Sequence, residues 1–208
     1  MEAKKFTATR WVVTVYGILV GLAGIEHGIF EILQGDIPTS GFLVDAIGDA
    51  YRFWPGAAER VFTVVPNFMW SGNLAVIFGS LVTIWSYNYI QRKYGATVFF
   101  LLAITLWLVG GGFAPIFLTL LASGAATRIE QPLNWWRNHL PGKASLVKLW
   151  PAILILFVIV FWGAVGIQIF GLPLSVDVTY MTMVILSILM VVLMPIVVIV
   201  GLAYDIRE

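Results

Sequence analysis

The sequence of 208 residues contains no cysteine, and charged residues are scarce. The absence of cysteine excludes disulfide bonds, thiolate metal sites, iron–sulfur clusters and cysteine nucleophiles. Charged residues make up 11% of the chain and hydrophobic residues 60%, whereas a soluble domain carries roughly 25% charged residues. So few polar side chains cannot cover the surface of a water-soluble protein. The composition therefore predicts an all-α integral membrane protein with a single transmembrane domain over residues 1–208.

The chain also lacks the motifs and residue clusters of most cofactor sites. Its two histidines are His27 and His139, which the topology derived below puts on opposite sides of the membrane, so a haem with two histidine ligands is excluded. There is no phosphate-binding loop and no serine-hydrolase motif, and no Lys/Arg run of the type that binds nucleic acid. We therefore expect no bound metal or cofactor and no nucleic-acid partner.

Five long hydrophobic runs divide the sequence. Four of them have the length of one bilayer crossing, about 20 residues, but the run Ala96–Thr127 has 32 residues with Gly110–Pro115 in its middle. Because glycines and proline favour a turn over a continuous helix, we expect two short helices here. The prediction is a six-helix bundle in which helices 3 and 4 form a short hairpin with a Gly/Pro corner. The expected helices cover residues 11–33, 67–89, 96–110, 113–127, 149–170 and 179–204.

Positive charge is distributed unequally between the two sides of such a bundle. With six crossings, ten Lys and Arg residues share the side of both termini and only Arg52 and Arg60 lie opposite, whereas five crossings give a split of five to seven. Because cytoplasmic loops carry an excess of Lys and Arg, we expect a cell-membrane protein with both termini cytoplasmic. Seven of the 11 acidic residues fall in the outer half. They either reflect topology alone or form an acidic mouth that attracts cations.

The loop between the first two helices has a helical pattern of its own. Leu43, Ile47 and Trp54 fall on one face of a helix, and Asp45 and Arg52 fall on the opposite face. This pattern predicts an amphipathic helix that lies in the outer membrane interface, either as a lid or as a simple anchor.

Three ionisable residues, Glu26, His27 and Glu31, lie inside the first hydrophobic run. Each costs roughly 2.5–3.5 kcal/mol at the centre of a membrane helix, so they need partners. His27 and Glu31 are four residues apart and share a helix face, where they can hydrogen-bond or bind one ion. We expect Glu31 and His27 to be direct binding or proton-accepting groups, with Glu26 as a second carboxylate. Polar residues expected at the same level are Asn73, as a neutral ligand, Gln168 and Asp177.

A stripe of glycines runs beside these ionisable residues. It consists of Gly17, Gly21, Gly24 and Gly28, and small residues at such spacing let a second helix approach closely. The predicted helix pair would bring polar groups of the second helix against His27.

These features favour a small transporter- or channel-like protein that binds a proton, a cation or a small polar solute in an outward-facing pocket. Two other classes fit the sequence. One is a membrane-embedded enzyme that acts on lipid or isoprenoid head groups through His27 and Glu31, and the other is a non-catalytic subunit in which this pair is structural. The expected partners are the lipid bilayer, a small cation or polar solute, and further copies of the chain or a larger membrane complex. A transporter requires water access from both sides, an enzyme a lateral opening beside His27, and a subunit an exposed face of small residues.

Overall fold

The structure, a computed structural model, describes residues 7–140 and 143–206. Four of its helices are long and apolar enough to cross a membrane, as the composition predicts for a membrane protein. The α-helices are α1 (Ala8–Leu33), α2 (Phe68–Asn88), α3 (Gly95–Leu108), α4 (Ala114–Ala126), α5 (Asn134–His139), α6 (Lys143–Phe170) and α7 (Val176–Ile206). The long membrane-spanning segments are Ala8–Leu33, Phe68–Asn88, Val147–Phe170 and Val176–Ile206.

The short apolar helices α3 and α4 are separated by a corner of three glycines. They have 14 and 13 residues, which corresponds to about 21 and 20 Å at 1.5 Å per residue. Gly110 and Gly112 have φ angles of +104° and +82°, in the left-handed region that favours glycine. Pro115 lies in the first turn of α4, where its missing N–H leaves no helical hydrogen bond broken. These backbone conformations end α3 and start α4.

The loop between α1 and α2 forms a small sheet, and the prediction of an amphipathic helix there is wrong. Strands β1 (Leu43–Asp45) and β2 (Arg60–Phe62) pair antiparallel, with Val44 opposite Val61. Val44 and Val61 are buried, whereas Leu43 is exposed, so burial alternates with the period of a strand. The later part of the predicted helix contains only a 3₁₀ turn, Asp49–Tyr51. Local periodicity could not foresee this, because the strand pairing joins segments distant in sequence.

Three connections, those between α1 and α2, α3 and α4, and α6 and α7, lie together at what we call the hairpin end. The Gly110 N–H donates to the Phe62 carbonyl of β2 at 3.0 Å, which joins the glycine corner to the sheet. The indole N–H of Trp54 donates to the Gln168 carbonyl in the last turn of α6 at 2.9 Å. The loop therefore covers the ends of helices from both halves of the chain.

At the opposite end, the start of α1 lies beside the end of α7. The backbone N–H groups of Ala8 and Thr9 donate to the two carboxylate oxygens of Asp205 at 2.7 and 2.8 Å. The first N–H groups of a helix have no partner within it, and a carboxylate is favourable at this positive end. Asp205 thus holds the last helix against the first.

Helices α1 and α2 pack through paired glycines. A methyl group built at Gly28 would collide with the Gly72 carbonyl oxygen, and one at Gly72 with the Gly28 carbonyl oxygen. Gly21 and Gly79 form a second pair of the same kind, two helical turns away from the first pair. The two backbones therefore touch directly at both levels, and the contact fixes how α1 presents its ionisable side chains.

Candidate functional site

A cavity of about 300 Å³ lies at the hairpin end between α1 and the pair formed by α6 and α7. Its polar side chains come from α1, the loop, β2, α6 and α7, and they are Glu26, His27, Glu59, Arg60, Gln168 and Ser187. The facing wall is apolar and comes from α6 and α7, with Phe161, Val165, Ile169, Met183 and Met190. A small cavity with a few convergent polar groups on an otherwise apolar wall is typical of a ligand site.

His27 is the central polar residue of this cavity. Only 3% of its surface is exposed, and its Nε2 lies 3.0 Å from Oε2 of Glu59 and 3.5 Å from Oε2 of Glu26. The other ring nitrogen, Nδ1, faces the backbone of Gly111 without reaching a well-formed hydrogen bond. One imidazole is therefore shared by two carboxylates, and a protonated ring leaves one of their negative charges in excess.

Glu59 was not among the residues expected from the sequence. It precedes β2 in the loop, and the Gln168 side-chain amide supports this segment by donating to the Gly56 and Ala58 carbonyls at 3.2 and 3.4 Å. Burial alone raises the pKa of Glu59, but the charge and hydrogen bond of His27 outweigh burial and hold that pKa below 4.5, its ordinary value. Glu59 therefore stays ionised beside His27. No local pattern in the loop could identify it, because its role arises only where the folded loop meets α1.

Glu31 lies behind this cavity and does not line it. It is 0% exposed, and neither carboxylate oxygen has a well-formed hydrogen bond within residues 7–140 and 143–206, although the Ser71 hydroxyl is beside it. The Ser71 hydroxyl contacts the Val109 carbonyl at 3.0 Å and the Thr63 hydroxyl at 2.7 Å. The spacing allowed His27 and Glu31 to hydrogen-bond or to bind one ion together. The hydrogen bond does not form, because His27 turns to the loop carboxylate instead.

The glycine corner packs directly on both buried side chains. A methyl group at Gly110 would collide with the Glu31 carboxylate, and one at Gly112 would collide with the His27 ring. Both positions also have the left-handed φ angles described above. Glycine is therefore required there for two separate reasons, backbone conformation and space.

The remaining expected site residues are placed differently from one another. Gln168 lines the cavity. Asn73 is exposed and donates to the Met69 carbonyl of its own helix at 2.7 Å, because α2 turns the neighbouring Gly72 towards α1. Asp177 is exposed in the first turn of α7. The structure thus brings Glu26, His27 and Gln168 together, and it places Asn73 and Asp177 outside the cavity.

A buried layer lies beyond the cavity, on the side away from the hairpin end. Tyr16, Phe157 and Met194 each lie about one or two helical turns beyond a cavity-lining residue of α1, α6 or α7, and all three are buried. The Tyr16 hydroxyl donates to the Met194 carbonyl at 2.7 Å, and its ring lies 5.0 Å from that of Phe157. We call these three residues the plug.

The site holds few groups that could bind a metal, and the chain resembles no known protein. Across the part of the chain that the structure describes, no group of three or more His, Asp or Glu side chains is arranged to hold a metal ion. No protein-family model matches the chain, and neither a curated protein nor a solved structure is detectably similar to it. Function then rests on the geometry and charge of the cavity rather than on its fold.

Proposed function

We propose that this chain is a multi-pass membrane protein of transporter or channel type that binds a small cation at the hairpin end. The observation that carries the proposal is the sharing of one buried imidazole, His27, by the carboxylates of Glu26 and Glu59 in the wall of a cavity. Ionisable residues inside a membrane protein are costly and usually serve transport or binding.

The charge and the walls of the cavity favour a cation with an apolar body. Glu26 and Glu59 are both partly exposed to the cavity, and together they exceed the positive charge of one imidazolium. Arg60 also lines the cavity, but its side chain is 73% exposed and its guanidinium pairs with Asp45 at 3.6 Å. Phe161 lines the same cavity, and an ammonium group is attracted to the face of an aromatic ring. An organic ammonium ion fits both walls, with its charge at the carboxylates and its apolar body at the apolar wall. A proton is the smallest ligand that the same carboxylates accept.

The plug supports a transport cycle with two states. Tyr16, Phe157 and Met194 lie between the cavity and the opposite end in the conformation described here. A bound cation would cross only after α6 and α7 shift against α1 and open this layer. Such exposure of one site to each side in turn is common in membrane transporters.

We extend the proposal to the topology, with six crossings, the hairpin end outside and both termini in the cytoplasm. The ten-to-two division of Lys and Arg and the contact of Asp205 with the start of α1 support it. Helices α3 and α4 are about 21 and 20 Å long, shorter than a hydrocarbon core of about 30 Å. Local thinning of the bilayer accommodates short helices at a modest cost.

Reporter fusions test this topology. A reporter fused after Glu208 or after a truncation near Gly95 is expected in the cytoplasm, and one fused near Asp177 outside. An external reporter at Glu208 would overturn the six-crossing arrangement.

Binding of n-butylammonium tests the function. We expect the purified protein in nanodiscs to bind the radiolabelled cation, and Glu26→Gln to weaken binding about tenfold, which corresponds to about 1.4 kcal/mol. Asp177→Asn is the matched control, because it removes a carboxylate at the same end but outside the cavity; its affinity should stay within about twofold, since an exposed charge acts only weakly at physiological salt. Equal loss in both variants, or no binding by the parent protein, would contradict a cation site at Glu26.

A further inference from the structure

The cavity has a second opening, on the side of α7. Ser187 lines the cavity and is itself exposed, so it lies where the cavity meets the surroundings. It is 11 residues into α7 from Val176, about 16 Å along the helix axis. A position that far into a membrane-spanning helix faces acyl chains and not water. Arg60, by contrast, lies in the loop at the cavity's other rim and is exposed.

The packing of α7 explains why a gap remains at this level. Its second half is held to α1 by the hydrogen bond between Tyr16 and Met194. Its first turns are held to the loop by the contact of Tyr180 with Trp54, whose rings lie 5.1 Å apart. Ser187 lies between these two attachments. We call the exposed part of the cavity lining at Ser187 the gap, and Pro115 at the start of α4 lines the same cavity.

The lining changes along the cavity from polar to apolar. Glu26 and Glu59 lie near the loop, whereas Met183 and Met190 lie on either side of Ser187 on α7. Methionine side chains are flexible and adapt to apolar ligands of different shape. A ligand with a polar head and an apolar chain would therefore find a polar wall near the loop for its head and an apolar wall towards the bilayer for its chain.

We infer that the ligand is a single-chain cationic amphiphile, with its ammonium head at Glu26 and Glu59 and its alkyl chain leaving through the gap beside Ser187. The inference rests on the proposed cation site and assigns a substrate class to it. A short cation that enters from water can reach the carboxylates through the opening at Arg60 alone. An amphiphile held in the bilayer also needs the gap beside Ser187 for its alkyl chain. Filling the gap should therefore affect the amphiphile more than the short cation.

The experiment compares a short and a long amine in nanodiscs at equal mole fraction in the bilayer. The probes are n-butylammonium and n-dodecylammonium, and Ser187→Phe fills the gap. Because Ser187 lines the cavity, the readout is the ratio of the two affinities. We expect Ser187→Phe to weaken binding of the dodecyl probe about tenfold more than binding of the butyl probe. The matched control is Ile185→Phe, an exposed position that points about 160° away from Ser187 on α7. It should change neither affinity.

A second variant keeps the test independent of how Ser187→Phe folds. Met183→Trp narrows the same gap from one turn nearer the hairpin end, and melting temperatures show whether both variants are folded. The two variants should give the same selective loss of the dodecyl probe. Unchanged dodecyl binding, or an equal loss of both probes, would overturn the lateral route while leaving the cation site in place. If the parent protein binds neither probe, the cation site itself fails, and the substrate class fails with it.

Discussion

At the scale of single residues, the positions that tolerate the fewest substitutions are the glycines of the corner between α3 and α4. Gly112 combines a left-handed φ angle with a backbone that touches the His27 ring. An alanine there is strained and must also displace the imidazole, so Gly112→Ala should lower the free energy of unfolding by about 1–3 kcal/mol. Gly124→Ala is the matched control, because Gly124 is helical and a methyl group there meets no atom within 4 Å. It should be neutral or stabilising by up to about 1 kcal/mol. Thermal unfolding in detergent measures both, and equal effects would contradict the predicted contact.

Glu59 makes the stability of the protein depend on pH in the acid range. His27 holds the pKa of Glu59 below 4.5 in the folded protein, so the ionised form stabilises the fold above 4.5, and this contribution is lost as the pH falls through the lowered pKa. The difference in melting temperature between the parent and Glu59→Gln should therefore be largest at neutral pH and shrink below pH 4.5. A difference that stays constant from pH 7 to pH 3 would show that the carboxylate of Glu59 gains nothing from His27.

Sequence reasoning located part of the site because ionisable residues are conspicuous in an apolar helix. Glu26 and His27 were expected on that ground, and the structure places both in the cavity wall. Their spacing allowed His27 and Glu31 to hydrogen-bond or to bind one ion together, but helical spacing fixes only the face from which a side chain starts. The partner that His27 reaches, Glu59, lies in an irregular loop, where no periodicity marks it.

At the scale of elements, the contact between α1 and α2 is built around glycine pairs. The Gly28 and Gly72 backbones touch, so Gly28→Leu must force the helices apart and should cost about 3 kcal/mol, at the upper end of ordinary overpacking. Gly163→Leu in α6 is the control, because Gly163 is exposed and a methyl group there meets no atom within 4 Å. It should leave the melting temperature nearly unchanged. A Gly28→Leu protein as stable as the parent would mean that this face of α1 tolerates separation from α2.

The loop at the hairpin end shows the limit of pattern reading for elements. Residues 43–54 fit a helical pattern, yet Val44 pairs with Val61 across a sheet. A helix satisfies its backbone locally, whereas a strand needs a partner that can lie far along the chain. The membrane-spanning helices were predictable because their length and apolar character are local properties. The sheet depends on a distant segment and was not.

At the scale of the whole molecule, composition alone was enough for the membrane class, and four long apolar helices support it. The mutual arrangement of the helices is a different matter. Nothing in the sequence marks Ser187 as a residue that both lines the cavity and is exposed, since its position depends on how the Tyr16 and Trp54 contacts hold the last helix. The site is therefore a product of assembly, with one wall from each half of the chain.

In the proposed transport cycle the plug must open, and within the described residues the hydroxyl of Tyr16 makes its one polar contact with α7. It donates to the Met194 carbonyl at 2.7 Å inside the buried layer, and a hydrogen bond of this kind contributes about 1 kcal/mol. If opening the plug limits transport, Tyr16→Phe should raise the open population, and with it the flux of n-butylammonium into liposomes, about fivefold. Affinity should change less than about twofold, because Tyr16 does not line the cavity.

Tyr204→Phe is the matched control for this variant. This variant also removes a tyrosine hydroxyl from a ring that packs on an aromatic neighbour, here Trp150 at 5.1 Å. Tyr204 lies near the C-terminal end of α7, away from the plug. Its flux per folded molecule should equal that of the parent. If Tyr16→Phe has the flux of the parent and differs only in a lower melting temperature, the Tyr16 contact is purely structural. That result would remove the plug from the transport cycle.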